Sequence, residues 1–250
     1  MLREITESTI FPLSSHISIE SFLAQVDVKT SDIIFTGMRF QVLSDVHSSN
    51  RTIAWANRLA REHGADAFII LGDIVNFSPA DWAEEFLKSL DLPAYAVPGN
   101  CDPPAVVGYI ERAATSLHQR KAEVGGKTFI GLGGSNPTIF DTPFELEEEA
   151  IAEKLGPLME EGAVMVLHCP PYGILDKVRG GKSVGSTAIL DLVKRYRPRV
   201  VLSGHIHEDR GVLENNGTLF MNPGAAKDGF SALLDIGDEI RGVLLDQVIG

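Results

Sequence analysis

Residues 38–47 read Met-Arg-Phe-Gln-Val-Leu-Ser-Asp-Val-His. Positions 39–43 carry the bulky apolar residues of a strand, and the run closes on a serine, an aspartate and a histidine. Strand-type runs recur at 67–71, 94–97, 128–132, 163–167 and 199–202, most of them too short for helices. Between them, 51–62, 80–89, 104–119, 144–160 and 187–196 place apolar residues at three- and four-residue spacing, several opening near Pro or Ser. This alternation predicts an α/β fold in which helices cover sheets. After Gly211 long helical patterns stop, and 219–221, 231–236 and 240–247 read as an antiparallel ladder closing a second sheet. The expected architecture is a two-sheet sandwich.

Upstream of Met38 the rhythm breaks. Residues 18–26 suggest one short helix, and residues 1–37 are expected to be an N-terminal arm, an oligomer contact or an upstream extension, with a surface appendage preferred. Residues 38–250 form the main domain. A chain of 250 residues with 44% apolar composition suits one such domain plus a small appendage. Its net charge of -12 disfavours extended nucleic-acid binding, which needs clustered Lys and Arg. No apolar run approaches the ~20 residues that cross a bilayer, and the N-terminus lacks a secretory signal, so a cytoplasmic protein without membrane contact is expected. The two cysteines argue against a disulfide framework and for reduced thiols.

Five pieces fall at or just beyond the strand runs: Asp45 and His47, Asp73, Asn100, His168, then His205 and His207. They offer seven candidate metal ligands. Side chains at the carboxyl ends of strands converge on one crevice, so distant segments can build one site. Gly72, Gly99 and Gly204 each directly precede a ligand, where a missing Cβ permits a tight turn. Imidazole, carboxylate and one amide oxygen suit Mn, Fe, Zn, Ni or Co better than Ca, and no Cys-rich cluster points to a structural zinc.

This ordered set resembles the calcineurin-like metallophosphoesterases, whose pattern runs D-x-H, G-D, G-N-H/C-D/E, H and G-H-x-H. The likeness extends from Met38 to about Gly224 and includes the turn Asn222-Pro-Gly-Ala. It implies a four-layer arrangement, two mixed sheets between helices. It also implies two divalent transition-metal ions, manganese first among those above. Asp45, His47, Asp73 and His207 would hold one ion, and Asp73, Asn100, His168 and His205 the other, with Asp73 bridging. A hydroxide between two such ions attacks a phosphate ester in line with its leaving group.

Asn100, Cys101, Asp102 and His168 form the expected catalytic side. Many family members carry histidine where Cys101 stands, and a neutral thiol cannot supply imidazolium charge to a phosphomonoester dianion. Members with G-N-C-D are often phosphodiesterases, so the expected substrate is a small soluble phosphodiester. A phosphomonoesterase, a nuclease of the same fold and a non-catalytic protein-binding scaffold are the alternatives. Asp102, which would orient the missing histidine, is expected to support the site from behind.

Outside this set, His16, His63, His118, Asp66 and Asp209 read as structural or exposed. Arg179-Gly-Gly-Lys-Ser has only the tail of a P-loop, since Asp176 stands where its first glycine belongs. Residues 170–186 are expected to loop over the metal cleft, with Lys177, Arg179 and Lys182 as solvated charges or phosphate attractors. Cys101 and Cys169 adjoin proposed ligands and read as small, partly buried residues. The N-terminal arm is the one hint of a partner surface, and a homodimer stays open.

Overall fold

The computed structural model describes residues 37–77 and 79–247. The expected arm, residues 1–37, lies outside the described residues except for Gly37. In chain order the described elements are β1 (Met38–Leu43), α1 (Asn50–Glu62), β2 (Ala67–Ile70), α2 (Trp82–Lys88), β3 (Ala94–Ala96), α3 (Val106–Ala113) and β4 (Thr115–Ser116). Then follow β5 (Arg120–Val124), β6 (Lys127–Leu132), α4 (Glu148–Leu155), β7 (Val164–Leu167), α5 (Thr187–Tyr196), β8 (Val200–Leu202), β9 (Gly211–Asn215), β10 (Thr218–Asn222), β11 (Phe230–Ile236) and β12 (Ile240–Asp246). One sheet has the order β12-β11-β1-β2-β3-β4, the other β5-β6-β7-β8-β10-β9. Both are mixed: the second sheet has antiparallel pairs at both margins, whereas the first is antiparallel only on its β11–β12 side and ends in a parallel β3–β4 pair.

Successive strand residues face opposite sides, and here that alternation sorts the core into three apolar layers. Phe40, Val42, Ile69, Val164, Val166, Val200 and Leu202 meet between the sheets. Leu43, Phe68 and Ile70 turn outward onto Trp55, Ala56 and Leu59 of α1 and Phe86 of α2. On the opposite side, Met165, Leu167 and Val201 pack on Ile151 and Leu155 of α4 and Ile189 and Val193 of α5. The result is helix, sheet, sheet, helix, the expected four-layer sandwich. Parallel strands buried on both faces explain why their sequences read as unbroken apolar runs. No helix of the described residues is long and apolar enough to cross a membrane.

Three expectations differ from the structure. The last strands do not close the second sheet: β11 pairs antiparallel with β1, and β12 with β11, extending the first sheet, while β10 joins β8 in parallel. Period-two patterning assigns a strand a buried face but not a partner. The helical spacing over 104–119 also overreached. The helix stops at Ala113, Ala114 is extended, and the Leu117 N–H donates to the Ala96 carbonyl at 2.9 Å, drawing the chain alongside β3. Similarly, 144–160 yields only α4 and a 3-10 turn at Gly156–Leu158.

His118 belongs to this frame. Its Nδ1 accepts from the Gly133 N–H (3.0 Å), and its ring lies edge-on to Phe144 with centroids 5.2 Å apart. Burial, with the positive charges of Lys154 and Arg120, pushes its pKa from 6.5 down to about 4. Between those pH values the unfolded chain binds a proton that the folded chain refuses, so stability falls as pH drops from 6.5 towards 4. The expected loss is about 3 kcal/mol at the lower limit. Urea denaturation across this range should show it, and His118→Gln, which keeps an acceptor but cannot titrate, should flatten that part of the profile.

Candidate metal centre

The candidate ligands stand at the carboxyl ends of the parallel strands: Asp45 and His47 after β1, Asp73 after β2, Asn100 after β3, His168 after β7, and His205 and His207 after β8. Backbone bonds zip the first two loops together. The Asp45 N–H donates to the Gly72 carbonyl (3.0 Å), His47 N–H to Asp73 (2.9 Å) and Ser48 N–H to Ile74 (2.9 Å). Asp45, His47, Ser48, Asp73 and His205 all have left-handed backbones, with φ of 56°, 48°, 57°, 49° and 66°. Such conformations are disfavoured in non-glycine residues, and their clustering marks strain held in place by the surrounding fold. Gly72 and Gly99 allow the loops to meet. A Cβ on Gly72 would lie 2.6 Å from the Gly99 Cα, and one on Gly99 would overlap the Asp73 carboxylate.

The side chains converge. Asp45 Oδ1 lies 3.0 Å from His207 Nε2 and 3.9 Å from His47 Nε2. Asp73 Oδ2 is 3.7 Å from His47 Nε2, and its Oδ1 is 3.5 Å from His168 Nε2 while accepting from the Cys101 N–H at 2.8 Å. His168 Nε2 meets Asn100 Oδ1 at 2.8 Å, and the His168 and His205 rings have centroids 5.1 Å apart. The His205 N–H donates to Asp45 Oδ2 at 3.2 Å. Asp73 is thus the carboxylate between the two groups of histidines.

These contacts fit cations. His168 Nδ1 lies 2.7 Å from the Leu71 carbonyl, which can only accept, so in the neutral ring Nδ1 carries the proton and Nε2 offers its lone pair. That lone pair faces the oxygen of Asn100, whose Nδ2 is turned away to donate to Thr142 Oγ1 (3.0 Å). Two acceptors 2.8 Å apart repel unless a proton or a metal cation lies between them. His47 Nδ1 is likewise buried without a hydrogen-bond partner. Asp45-His47-His207, Asp45-Asp73-His168 and His47-Asp73-Cys101 each gather potential ligand atoms within 4.8 Å.

The electrostatics follow from burial among like and unlike charges. Burial opposes ionisation of Asp45, but His207, His168 and His47 hold its carboxyl well below the usual range. Burial, with His168 beside it, lowers His205 to about 4. Burial also lowers His47, whereas His207, despite burial, is raised by its contact with Asp45. The Cys101 thiol is pushed far up by burial and the nearby Asp73 charge. Asp102 is raised to about 7 by burial and by Asp73, against the backbone bonds it accepts.

Asp102 is fully buried and accepts from the N–H groups of Gly99 (2.7 Å), Val75 (2.7 Å) and Ile74 (3.1 Å). It therefore clamps the Gly99 loop to the Asp73 loop. Its three bonds are to backbone, and none reaches a candidate ligand side chain. Residues 170–186 are fastened by Asp176, which accepts from Gly173 and Gly185 N–H groups (2.8 and 2.9 Å), and by the Lys177 N–H donating to Asp209 beside His207 (2.8 Å). Lys177, Arg179 and Lys182 are exposed. Cys101 and Cys169 are free thiols.

Sequence reasoning passed over Thr142 and Glu145. Glu145 Oε1 accepts from the Thr142 hydroxyl (2.6 Å), the Thr142 N–H (2.9 Å) and the Thr138 hydroxyl (2.6 Å). The signal was present as Thr-x-x-Glu at 142–145, a capping-box spacing.

Residues 38–209 match the family described as calcineurin-like phosphoesterase. An uncharacterised protein of Methanocaldococcus jannaschii is 32% identical over 168 residues, 64% of this chain and 77% of that protein. The human metallophosphoesterase domain-containing protein 1 is 36% identical over 110 residues, covering 42% of this chain and only 34% of its own length. Among solved structures, a Thermus thermophilus protein superposes with a TM-score of 0.67 at 19% identity, covering 83% of this chain and 98% of that one. A dimetal phosphatase from Danio rerio superposes with a TM-score of 0.58 at 11% identity over 82% of this chain and 96% of its own. At such identities these two likenesses concern the fold.

Proposed function

The chain belongs to the calcineurin-like phosphoesterase family, and from that premise we propose that it hydrolyses small soluble phosphodiesters at a centre holding two divalent transition-metal ions. The observation that carries this reading is the Asp73 carboxylate, one oxygen towards His47 and the other towards His168. On this reading Asp45, His47, Asp73 and His207 hold one ion, and Asp73, Asn100, His168 and His205 the other. Manganese is the first candidate, then Fe, Zn, Ni or Co. Bound there, two cations would acidify a water and offset charge building on the phosphoryl group.

The protein's own residues supply the rest. The Cys101 N–H fixes one oxygen of Asp73 (2.8 Å), and the Leu71 carbonyl fixes the ring of His168 (2.7 Å), so both ligands are oriented before an ion arrives. Asp102 acts as a positioning residue by holding the two loops together. Cys101 favours diesters, because a thiol offers no cation to a dianionic monoester and a diester needs less of that help. Four exposed apolar side chains, Phe77, Ile139, Phe140 and Tyr172, project from loops that follow β2, β6 and β7 and offer apolar surface for the organic groups of an ester. Two free thiols fit a reducing, cytoplasmic setting.

Metal-depleted protein should be reconstituted separately with Mn, Ni, Zn and Mg and assayed on matched diaryl and monoaryl phosphates. The expected result is metal-dependent turnover, abolished by chelation, with kcat/KM for the diester at least about tenfold above the monoester. A monoester preference would overturn the diester assignment. A fully loaded protein inert to both would overturn hydrolysis of small esters.

A further inference from the structure

We propose that Thr142 and Glu145 are positioning residues of the metal centre, fixing which end of the Asn100 amide faces the cations. This rests on the reading above, in which Asn100 is a ligand. An amide can offer its oxygen or its NH2 to the site, and only the oxygen binds a cation. Something must therefore choose the orientation.

The choice follows from counting protons along one chain of contacts. Glu145, as a carboxylate, only accepts, and its hydrogen bonds from Thr138 and Thr142 hold it ionised, with a pKa of about 2 in spite of partial burial. Thr142 has a single hydroxyl proton and gives it to Glu145 Oε1 at 2.6 Å. The Thr142 oxygen can then only accept, and it does so from Asn100 Nδ2 at 3.0 Å. With its NH2 committed, Asn100 turns Oδ1 towards His168 Nε2, 2.8 Å away. At the far end the Leu71 carbonyl makes the equivalent choice for the His168 ring. A carboxylate at one end and a carbonyl at the other, both obligate acceptors, thus leave the Asn100 oxygen facing His168 Nε2 in the middle.

Backbone contacts give the relay a fixed seat. The Phe144 N–H donates to the Asn100 carbonyl (3.1 Å), pinning the segment that carries Thr142 and Glu145 against the Asn100 loop, and the Leu146 N–H donates to the Ser135 carbonyl (2.8 Å), tying it to the loop after β6. Thr142 is buried, so water does not readily replace its hydroxyl.

The test is calorimetric titration of metal-depleted protein with Mn. In Thr142→Val, which keeps the shape and removes the hydroxyl, one of two binding events should weaken by about 10- to 100-fold, the other remaining as in wild type. Thr142→Ser should restore most of the loss. In an Asn100→Ala background, Thr142→Val should cause no further weakening, since the group it orients is gone; an equal loss there would show a merely structural role and overturn the proposal. Should Thr142→Val fail to fold, Glu145→Gln carries the test. Its amide can donate back to Thr142 and release the constraint, so the same event should weaken, and unchanged binding would overturn the proposal. Wild-type protein that binds no ion overturns this inference and the proposed function together. Two ions bound alike by wild type and all single variants overturn this inference alone.

Discussion

Asp73→Asn should abolish turnover while leaving the fold intact. The substitution keeps an oxygen for the Cys101 N–H, at present donated to Asp73 Oδ1 over 2.8 Å, so the loop after β3 retains its anchor. It removes the charge, however, and replaces one of two equivalent oxygens by an NH2 that cannot ligate. A carboxylate lying 3.7 Å from His47 on one side and 3.5 Å from His168 on the other is the group best placed to be shared between two ions. Losing the shared ligand should reduce kcat/KM by about a thousandfold or more. Stability without metal should move the opposite way. Asp73 and the buried Asp102 are like charges, and the Asp73 charge helps raise Asp102 to about 7. Deleting one charge relieves that repulsion. Urea denaturation under chelator should therefore find the variant at least as stable as wild type, and phosphodiester assays with added Mn should find it inactive. More than a tenth of wild-type activity would remove Asp73 from the centre of the mechanism.

The second large effect is expected from a residue with no functional group. Gly72→Ala adds one methyl group at a backbone with φ of 95°, where an L side chain is strained, and directs it at the Gly99 N–H and Cα. Left-handed strain alone contributes about 1–2 kcal/mol. The overlap adds to this because its partner is backbone and cannot rotate away. The Asp73 and Gly99 loops would have to part, stretching the two bonds that Asp102 accepts across them from Val75 and Ile74. A total of about 3–5 kcal/mol is expected, lowering the melting temperature by roughly 10 °C. A scan of the metal-free protein would measure it. A change below 1 kcal/mol, as an order of magnitude for ordinary surface substitutions, would show that the loops yield easily.

What could be read from the sequence was whatever alternation and strand ends encode. The three apolar layers follow from residues such as Val164, Met165, Val166 and Leu167, which alternate between the inner and an outer layer. The candidate ligands were legible because each stands where an apolar run breaks. β5 was missed because four of its five residues, Arg-Lys-Ala-Glu-Val, are not fully buried and read as polar chain. β4 and β9 are short or exposed for the same reason. The placement of β11 beside β1 was invisible, since strands with similar alternation compete for the same neighbours and only the assembled core decides between them. Thr142 and Glu145 escaped notice because their role is defined by the proton each gives or receives. No periodicity marks that.

Assembly of the first sheet depends on the order in which its strands are made. β1 sits between β2 and β11, so one of its two edges is completed only by Phe230–Ile236. On the ribosome, Phe40, Val42 and Leu43 emerge before the second sheet, and all the strands of that sheet are synthesised before the β11 neighbour exists. For that interval a nascent chain presents an apolar strand with one unpaired edge, the kind of surface that associates with other chains or is held by chaperones. Completion of the first sheet is thus deferred until every strand of the second has been made.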